Sequence, residues 1–370
     1  MTDVVEGPLQ GIVVADFSRV LAGPYATMLL GDLGAEVIKV ERPGQGDDTR
    51  AWGPPYTEQG QSTYFAGVNR NKSTRALDLG TTEGRAAARD LALSADVVIE
   101  NFKPGALDRM GLGYDALAAV NPRIVYCSIT GFGAGAGRDM PGYDLLVQAM
   151  GGLMSVTGPG PGQPTKAGVA LVDVITGLHA AVGILAALRH RDATGQGQRV
   201  EVNLLSSLLS ALVNQASGYV AAGVVPGILG NAHPSIAPYE VFATADRPLV
   251  IAVGNDGQFG TLVTVLGAPE LAADPDFATN PARVVHREQL KARLEGLLAS
   301  KGADEWQREI TAAGVPCGPI NDLAQAFALA TELGLEPVVE VEGTPTVAHP
   351  ITLSRTPATY RSGPPDLPEA

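Results

Sequence analysis

Cysteine is scarce in this chain: 370 residues hold two, Cys127 and Cys317, far apart and outside any C-x-x-C pair. That excludes a disulfide framework and fits a reducing compartment, so a cytoplasmic location is expected. Basic charge is also short. Lys and Arg number 26 against 39 Asp and Glu, giving a net charge of -13. A nucleic-acid partner needs a broad basic surface, and a membrane anchor of the polybasic kind needs a basic run; neither is expected here. A polyanionic ligand is compatible only with a local basic cluster. The five histidines, His179, His190, His233, His286 and His349, fall at no metal-ligand spacing, so no metal site is expected. Uninterrupted apolar runs long enough for a bilayer are missing too; the nearest, Val174 to Leu188, is broken by Thr, Gly and His and reads as a buried helix. The opening stretch MTDVVEGPLQ has neither the basic region nor the apolar run of a secretory leader. There is no GxxxxGK[ST] loop and no repeat of fixed period.

Hydrophobic residues make up 45% of the chain and charged residues 18%, enough for a large core and too apolar for disorder. At 370 residues, two lobes are expected. The first third alternates strand and helix signals. Gly11–Phe17 (GIVVADF) reads as a buried strand and Ala22–Leu33 as a helix with Pro24 in its first turn and Gly34 closing it. Glu36–Val40, Asp96–Glu100, Arg123–Thr130 and Arg199–Asn203 read as further strands, with helices at Glu83–Leu93, Tyr114–Val120, Asp173–Arg189 and 204–222. Strands alternating with helices predict a parallel sheet covered by helices, an α/β fold. From about 226 the texture changes to a loop-rich stretch, a strand at Leu249–Val253 and helices at 258–266, 286–300 and 303–313. That makes 226–325 a smaller domain. The last stretch, from 335, is proline-rich and reads as an extended tail.

Gly131–Gly137 (GFGAGAG) follows a strand but opens no helix, so it reads as a loop beside a site, not a dinucleotide fingerprint. Asp173 stands out as one acid among apolar residues in AGVALVDVITG. It reads either as the N-cap of the following helix or as a carboxylate nucleophile kept ionised by the helix terminus. Asp144, in PGYD, reads as a cap or as a second acid that positions substrate or shares a proton. Lys39, Arg42, Lys72, Arg75, Lys103 and Arg109 fall at strand ends and loops, where ligands of open α/β sheets bind, or are ordinary surface charge.

Taken together, DFSRVLAGP (16–24), GAEVIKVERPGQG (34–46), NKSTRALDL (71–79), DVVIENFKPGALDRMGLG (96–113), GYDLLVQAMGGLMSVTG (142–158), Asp173–Arg189 and TGQGQ (194–198) resemble the family III CoA-transferases. That family includes formyl-CoA:oxalate and carnitine CoA-transferases and the related α-methylacyl-CoA racemases. The resemblance spans nearly the whole chain. It implies transfer of coenzyme A from an acyl-CoA to a carboxylic acid, with Asp173 as the nucleophile and an aspartyl anhydride and aspartyl-CoA thioester as intermediates. Asp144 matches the acid that precedes it in the family's site, with Tyr143 beside it. Arg42, Lys72, Arg75, Asn101 and Arg109 are implied as contacts of CoA, which is a substrate rather than a resident cofactor. The fold implied is a Rossmann-like CoA-binding domain over 1–200, a linker helix at 201–225, a small domain at 226–325 and a segment at 326–370 returning to the large domain, in an interlocked homodimer. Leu21 stands where the formyl-CoA enzymes carry glutamine, which points away from oxalate, and Asn231–Tyr239 and Val253–Phe259 look like members that handle dicarboxylic acids. The loop Leu229–Tyr239 is the counterpart of the family's glycine-rich cover, with a single glycine, Gly230. Tyr143 replaces the histidine of the racemases, and with an ordinary pKa of about 10 it is a poor proton shuttle; Asp256 matches their further acid. Racemisation is the runner-up, and a CoA-binding protein without catalysis the third reading.

Overall fold

The computed structural model describes residues 7–368, so the leader-free reading of positions 1–6 lies outside the described residues. The chain divides into two compact units. The larger takes residues up to 153, 166–225 and 336 onward; the smaller takes 154–165 and 226–335.

Six strands build the larger unit's sheet: β1 (Val13–Asp16), β2 (Glu36–Glu41), β3 (Lys72–Ala76), β4 (Val97–Glu100), β5 (Val125–Thr130) and β6 (Arg199–Asn203). All pair in parallel, in the order β3-β2-β1-β4-β5-β6. The inner strands β1, β4 and β5 are buried on both faces along nearly their whole length, as a helix-covered parallel sheet requires. Helices along this unit are α1 (Ala22–Asp32), α2 (Thr63–Ala66), α3 (Thr82–Ser94), α4 (Tyr114–Ala118) and α5 (Asp144–Met150); α6 (Leu153–Val156) falls at the start of the smaller unit's first segment, and α7 (Leu171–Thr194), α8 (Leu204–Ala211) and α9 (Val213–Ala222) belong again to the larger unit. Val14, Val97, Val125 and Cys127 face a core shared with Ala26 and Leu30 of α1 and Ala180, Ile184 and Leu188 of α7. Ala15, Val98 and Tyr126 face the opposite core, with Ala88 and Leu91 of α3 and Leu117 of α4. Gly177 lets α7 lie close on α1: a Cβ there would come within 2.6 Å of the Ala22 carbonyl oxygen.

The alternating pattern was legible, and the differences have local causes. β3 was not expected, because Lys72-Ser-Thr-Arg is polar; it is the edge of the sheet, where polar strands are tolerated. The segment 204–222 is broken between Leu212 and Val213, whose φ is +32°. The helix read as Asp173–Arg189 starts two residues earlier and runs on to Thr194, where Gly195 closes it at φ +77°. By length and composition it is the one helix among the described residues apolar enough to cross a membrane. In the fold it packs on α1, β5 and β6 and is buried along one side only; Leu178, Val182 and Leu185 are exposed.

The smaller unit has an antiparallel sheet of β7 (Tyr239–Phe242), β8 (Leu249–Ala252) and β9 (Cys317–Pro319), with α10 (Asp256–Val265), α11 (Asn280–Val285), α12 (Arg287–Leu298), α13 (Ala303–Ala312) and α14 (Leu323–Glu332). Phe242, Phe259, Leu294 and Trp306 centre its own core. Within the tail, β10 (Val338–Val341) and β11 (Thr344–Val347) form a hairpin that the proline-rich texture concealed. Beyond it the chain is extended and is held to the larger unit by Asp32, whose carboxylate binds Arg70 and His349 and whose carbonyl accepts the Thr359 N–H at 2.8 Å.

Candidate active site

In a doubly wound sheet the strand order reverses beside β1, between β1 and β4, and ligands bind beyond the carboxyl ends there. A cleft of about 420 Å³ opens at that place in the larger unit. Its walls are Arg19–Ala22 after β1, Asn101–Pro104 after β4, and the glycine loop after β5, with Asp173 facing it.

A buried ionic network fixes the first wall. Asp16 accepts from Ser18, Thr27 and Lys72, and Asp47 pairs with Lys39 at 2.9 Å. Burial alone would raise the Asp16 carboxyl, but Lys72 and Lys39 outweigh it and hold it below its usual range. Both oxygens of Asp47 also take the N–H of Val20. Val20 sits at φ +69°, a left-handed conformation that costs a β-branched residue about 1–3 kcal/mol. Next to it, Asn101 clamps Arg19 through both backbone groups, at 2.9 and 2.7 Å. The Arg19 guanidinium lies over Phe102, and its buried Nε has no hydrogen-bond partner among the described residues. Lys103 and Arg138 add positive charge around the cleft, so a local basic cluster exists despite the acidic chain. In the third wall Gly131 and Gly142 touch: a Cβ on Gly131 would stand 2.4 Å from the Gly142 Cα. That contact folds the loop back and delivers Tyr143 and Asp144 beside α7.

Asp173 is the third residue of α7, not its N-cap; Ala170 holds that position and offers no side-chain cap. The cap comes from Asp144. Its Oδ1 accepts the N–H groups of Val172 and Asp173 at 2.8 and 3.1 Å. Gln148 donates to its other oxygen at 2.6 Å. The expectation that the helix terminus keeps Asp173 ionised therefore fails, because the amides that would do so are taken by Asp144. Burial, with the neighbouring Asp144 charge second, raises the Asp173 carboxyl to about 7. Tyr64 stands close enough that both acids act on it: burial first, then Asp173 and Asp144, raise its phenol. Its ring packs edge-on against Trp52 at 5.2 Å.

The residues expected around CoA do not all meet. Asn101 lines the cleft, and Tyr143 lines it with 68% of its surface exposed. Arg42 is joined to Asp48, which lies on the cleft, at 2.6 Å, and lines an adjoining pocket with Asp47 and Asp78. Arg75 and Arg109 are exposed and line neither. Lys72 is fully buried, with its ammonium on Asp16, Asn69 and the Pro24 carbonyl, so it supports the wall from behind. Asp256 belongs to the smaller unit and is paired with buried Arg283 at 2.7 Å. Arg19, Tyr64 and Gln148 were missed; each is ordinary in its local sequence and reaches the site only through the fold. No group of three or more His, Cys, Asp or Glu able to hold a metal occurs among the described residues.

The profile of CoA-transferase family III matches residues 9–369. The chain belongs to that family. This CoA-transferase is 46% identical to the succinate–glutarate CoA-transferase of Agrobacterium fabrum, over 100% of this chain and 96% of that protein. It is 41% identical to the acetyl-CoA:oxalate CoA-transferase of Acetobacter aceti, over 94% and 90% of the two chains. A crystal structure of a CAIB/BAIF family protein from Brucella suis superposes with a TM-score of 0.87 at 45% identity, covering 98% of this transferase and 97% of that chain. The family read from the motifs and the α/β fold with its parallel sheet both hold.

Proposed function

We propose that this CoA-transferase moves CoA from a dicarboxylic acyl-CoA, of which succinyl-CoA is the leading candidate, to a second dicarboxylate by covalent catalysis at Asp173. The single observation that supports this most is a carboxyl raised to about 7 at the edge of a basic cleft, with its helix capped by another acid. A carboxylate that is dry and poorly stabilised is a better nucleophile than a solvated one. An Asp173 oxygen attacks the thioester carbonyl, the C–S bond breaks, and CoA leaves as thiolate, leaving a mixed anhydride. The thiolate attacks the aspartyl carbonyl of the anhydride, the C–O bond breaks, and the donor acid departs, leaving an aspartyl-CoA thioester. The acceptor carboxylate then attacks that thioester, expelling thiolate, which attacks the acceptor's own carbonyl and frees Asp173. Asn101 and Arg42 are the expected CoA contacts nearest the cleft, joined by Arg19 with its unspent Nε–H; Arg75 and Arg109 contribute from farther out and Lys72 indirectly. Relatives named for succinyl-CoA with glutarate or mesaconate support the substrate class. Racemisation is disfavoured by Tyr143 in place of histidine and by the Asp256–Arg283 pair.

The enzyme is proposed to act in the cytosol as a homodimer. Exposed Leu178, Val182, Leu185, Leu209, Tyr219 and Val220 on α7, α8 and α9 are the surface that favours a second copy. Incubation with succinyl-CoA and hydroxylamine, followed by peptide mass spectrometry, is expected to place a hydroxamate on Asp173 and nowhere else. Transfer from succinyl-CoA to glutarate that survives D173A overturns the mechanism.

A further inference from the structure

Gln148 is an uncharged side chain in α5 that the reaction scheme does not use, yet it is 1% exposed and both ends of its amide are bound. Oε1 accepts the N–H of Ala167 at 2.8 Å, and Nε2 donates to Asp144 Oδ2 at 2.6 Å, one helical turn back. The chemistry fixes which end is which. A backbone N–H can only donate, so the amide oxygen faces Ala167, and the NH2 is left for the carboxylate.

Two consequences follow. With Oδ2 held by Gln148 and Oδ1 by the amides of Val172 and Asp173, the Asp144 carboxylate has one orientation. One of those amides is the nucleophile's own, so the backbone that carries the Asp173 side chain is pinned. Gln148 also ties down Ala167, in the strand of chain that leads into α7. A neutral donor matters here. Lysine or arginine would bind Asp144 as well, but would place a positive charge beside the nucleophile and weaken it.

We propose that Gln148 is a positioning residue for CoA transfer: it holds Asp144 in the orientation that caps α7 through the Asp173 N–H, and thereby sets where the nucleophile points. This rests on Asp173 being the nucleophile. Side chains that touch no reacting atom still act on rate when they set an attack geometry, and a misplacement of about 1 Å costs on the order of 100-fold.

The test is Q148M, which keeps the length and apolar stem and removes both hydrogen bonds, assayed on the full-length enzyme with succinyl-CoA and glutarate. The expected result is a fall in kcat of about 10- to 100-fold with KM for the acyl-CoA within about twofold. The acid limb of the kcat–pH profile is expected to move to lower pH, because a released Asp144 no longer faces Asp173 and the helix amides become free to stabilise the charged nucleophile. A merely structural glutamine would lower the melting temperature and the amount of active enzyme without moving that limb. If Q148M does not fold, Q148A likewise removes both hydrogen bonds without adding charge, and the same loss of kcat at unchanged KM is expected. Wild-type kcat, or a lowered kcat with an unmoved acid limb, overturns the inference. D173A separates the two ideas: if D173A stays active the nucleophile reading fails, and if D173A is dead while the Gln148 variant behaves as wild type only the positioning role fails.

Discussion

Asp173 concentrates the chemistry in one carboxyl, and its acidity makes two predictions at the residue scale. The nucleophile acts only when ionised, so kcat is expected to rise with pH through a limb near 7, far above the ordinary carboxylate range. A limb below pH 5 in a pH–rate profile would contradict it. The same shift governs stability. The folded value, about 7, lies above the ordinary 3.8, so the folded state carries no penalty below the lower value and the full penalty above the higher one. D173N removes that penalty. It is expected to be more stable than the parent by about 2–3 kcal/mol at pH 8, with the difference vanishing toward pH 4, as read from urea midpoints. From sequence, Asp173 was legible as a lone acid in an apolar run, and family resemblance gave it a role. Its environment was not legible: the partner that takes its helix amides lies in α5, so the N-cap reading left open for Asp173 gives way to a cap from Asp144.

At the scale of elements, the wall after β1 depends on Asp47. This residue binds Lys39, whose side chain is wholly buried, and holds Val20 in a left-handed conformation. Burial opposes its charge, but Lys39 and the Thr49 N–H outweigh that and bring the carboxyl down to about 2. Its contribution is therefore present above the ordinary 3.8 and is lost as pH falls toward 2. D47A leaves a buried ammonium without its partner, and a loss of about 3–5 kcal/mol is expected in chemical denaturation at neutral pH. The released Val20 should also loosen the cleft, raising KM for the acyl-CoA more than it lowers kcat. The strands beneath this wall were readable because GIVVADF and DVVIE are short, largely apolar runs rich in β-branched residues. β3 and the β10–β11 hairpin were not: one is polar and lies at the sheet edge, the other carries Pro345.

For the molecule as a whole, the outstanding feature is apolar surface on α7, whose other side serves the core, and on α9, which buries no residue. Val182 of α7 is 65% exposed and Val220 of α9 82%. Helix α7 is long and apolar enough to cross a membrane yet buries one side against a sheet, and the proposed second copy would cover its exposed side. Light scattering on the purified enzyme is expected to give twice the chain mass. V182E with V220E should shift it toward the mass of one chain. A monomeric parent enzyme, or a double variant that still dimerises, would count against this surface.

The sequence by itself determined the alternation of strands and helices, because side-chain period and burial are local properties that repeat along the chain. It also determined the family, because many short motifs stand in order over nearly the full length. Only the tertiary structure decided which charges do what. Lys72, Asp16 and Asp47 are carried by separate segments, and α5, with Asp144 and Gln148 one turn apart, lies far in sequence from Asp173 on α7; nothing in the local sequence says that these segments will bind one another. Charge, acidity and orientation at a buried site depend on distance through space and on access to water, and those are fixed only once the segments have packed.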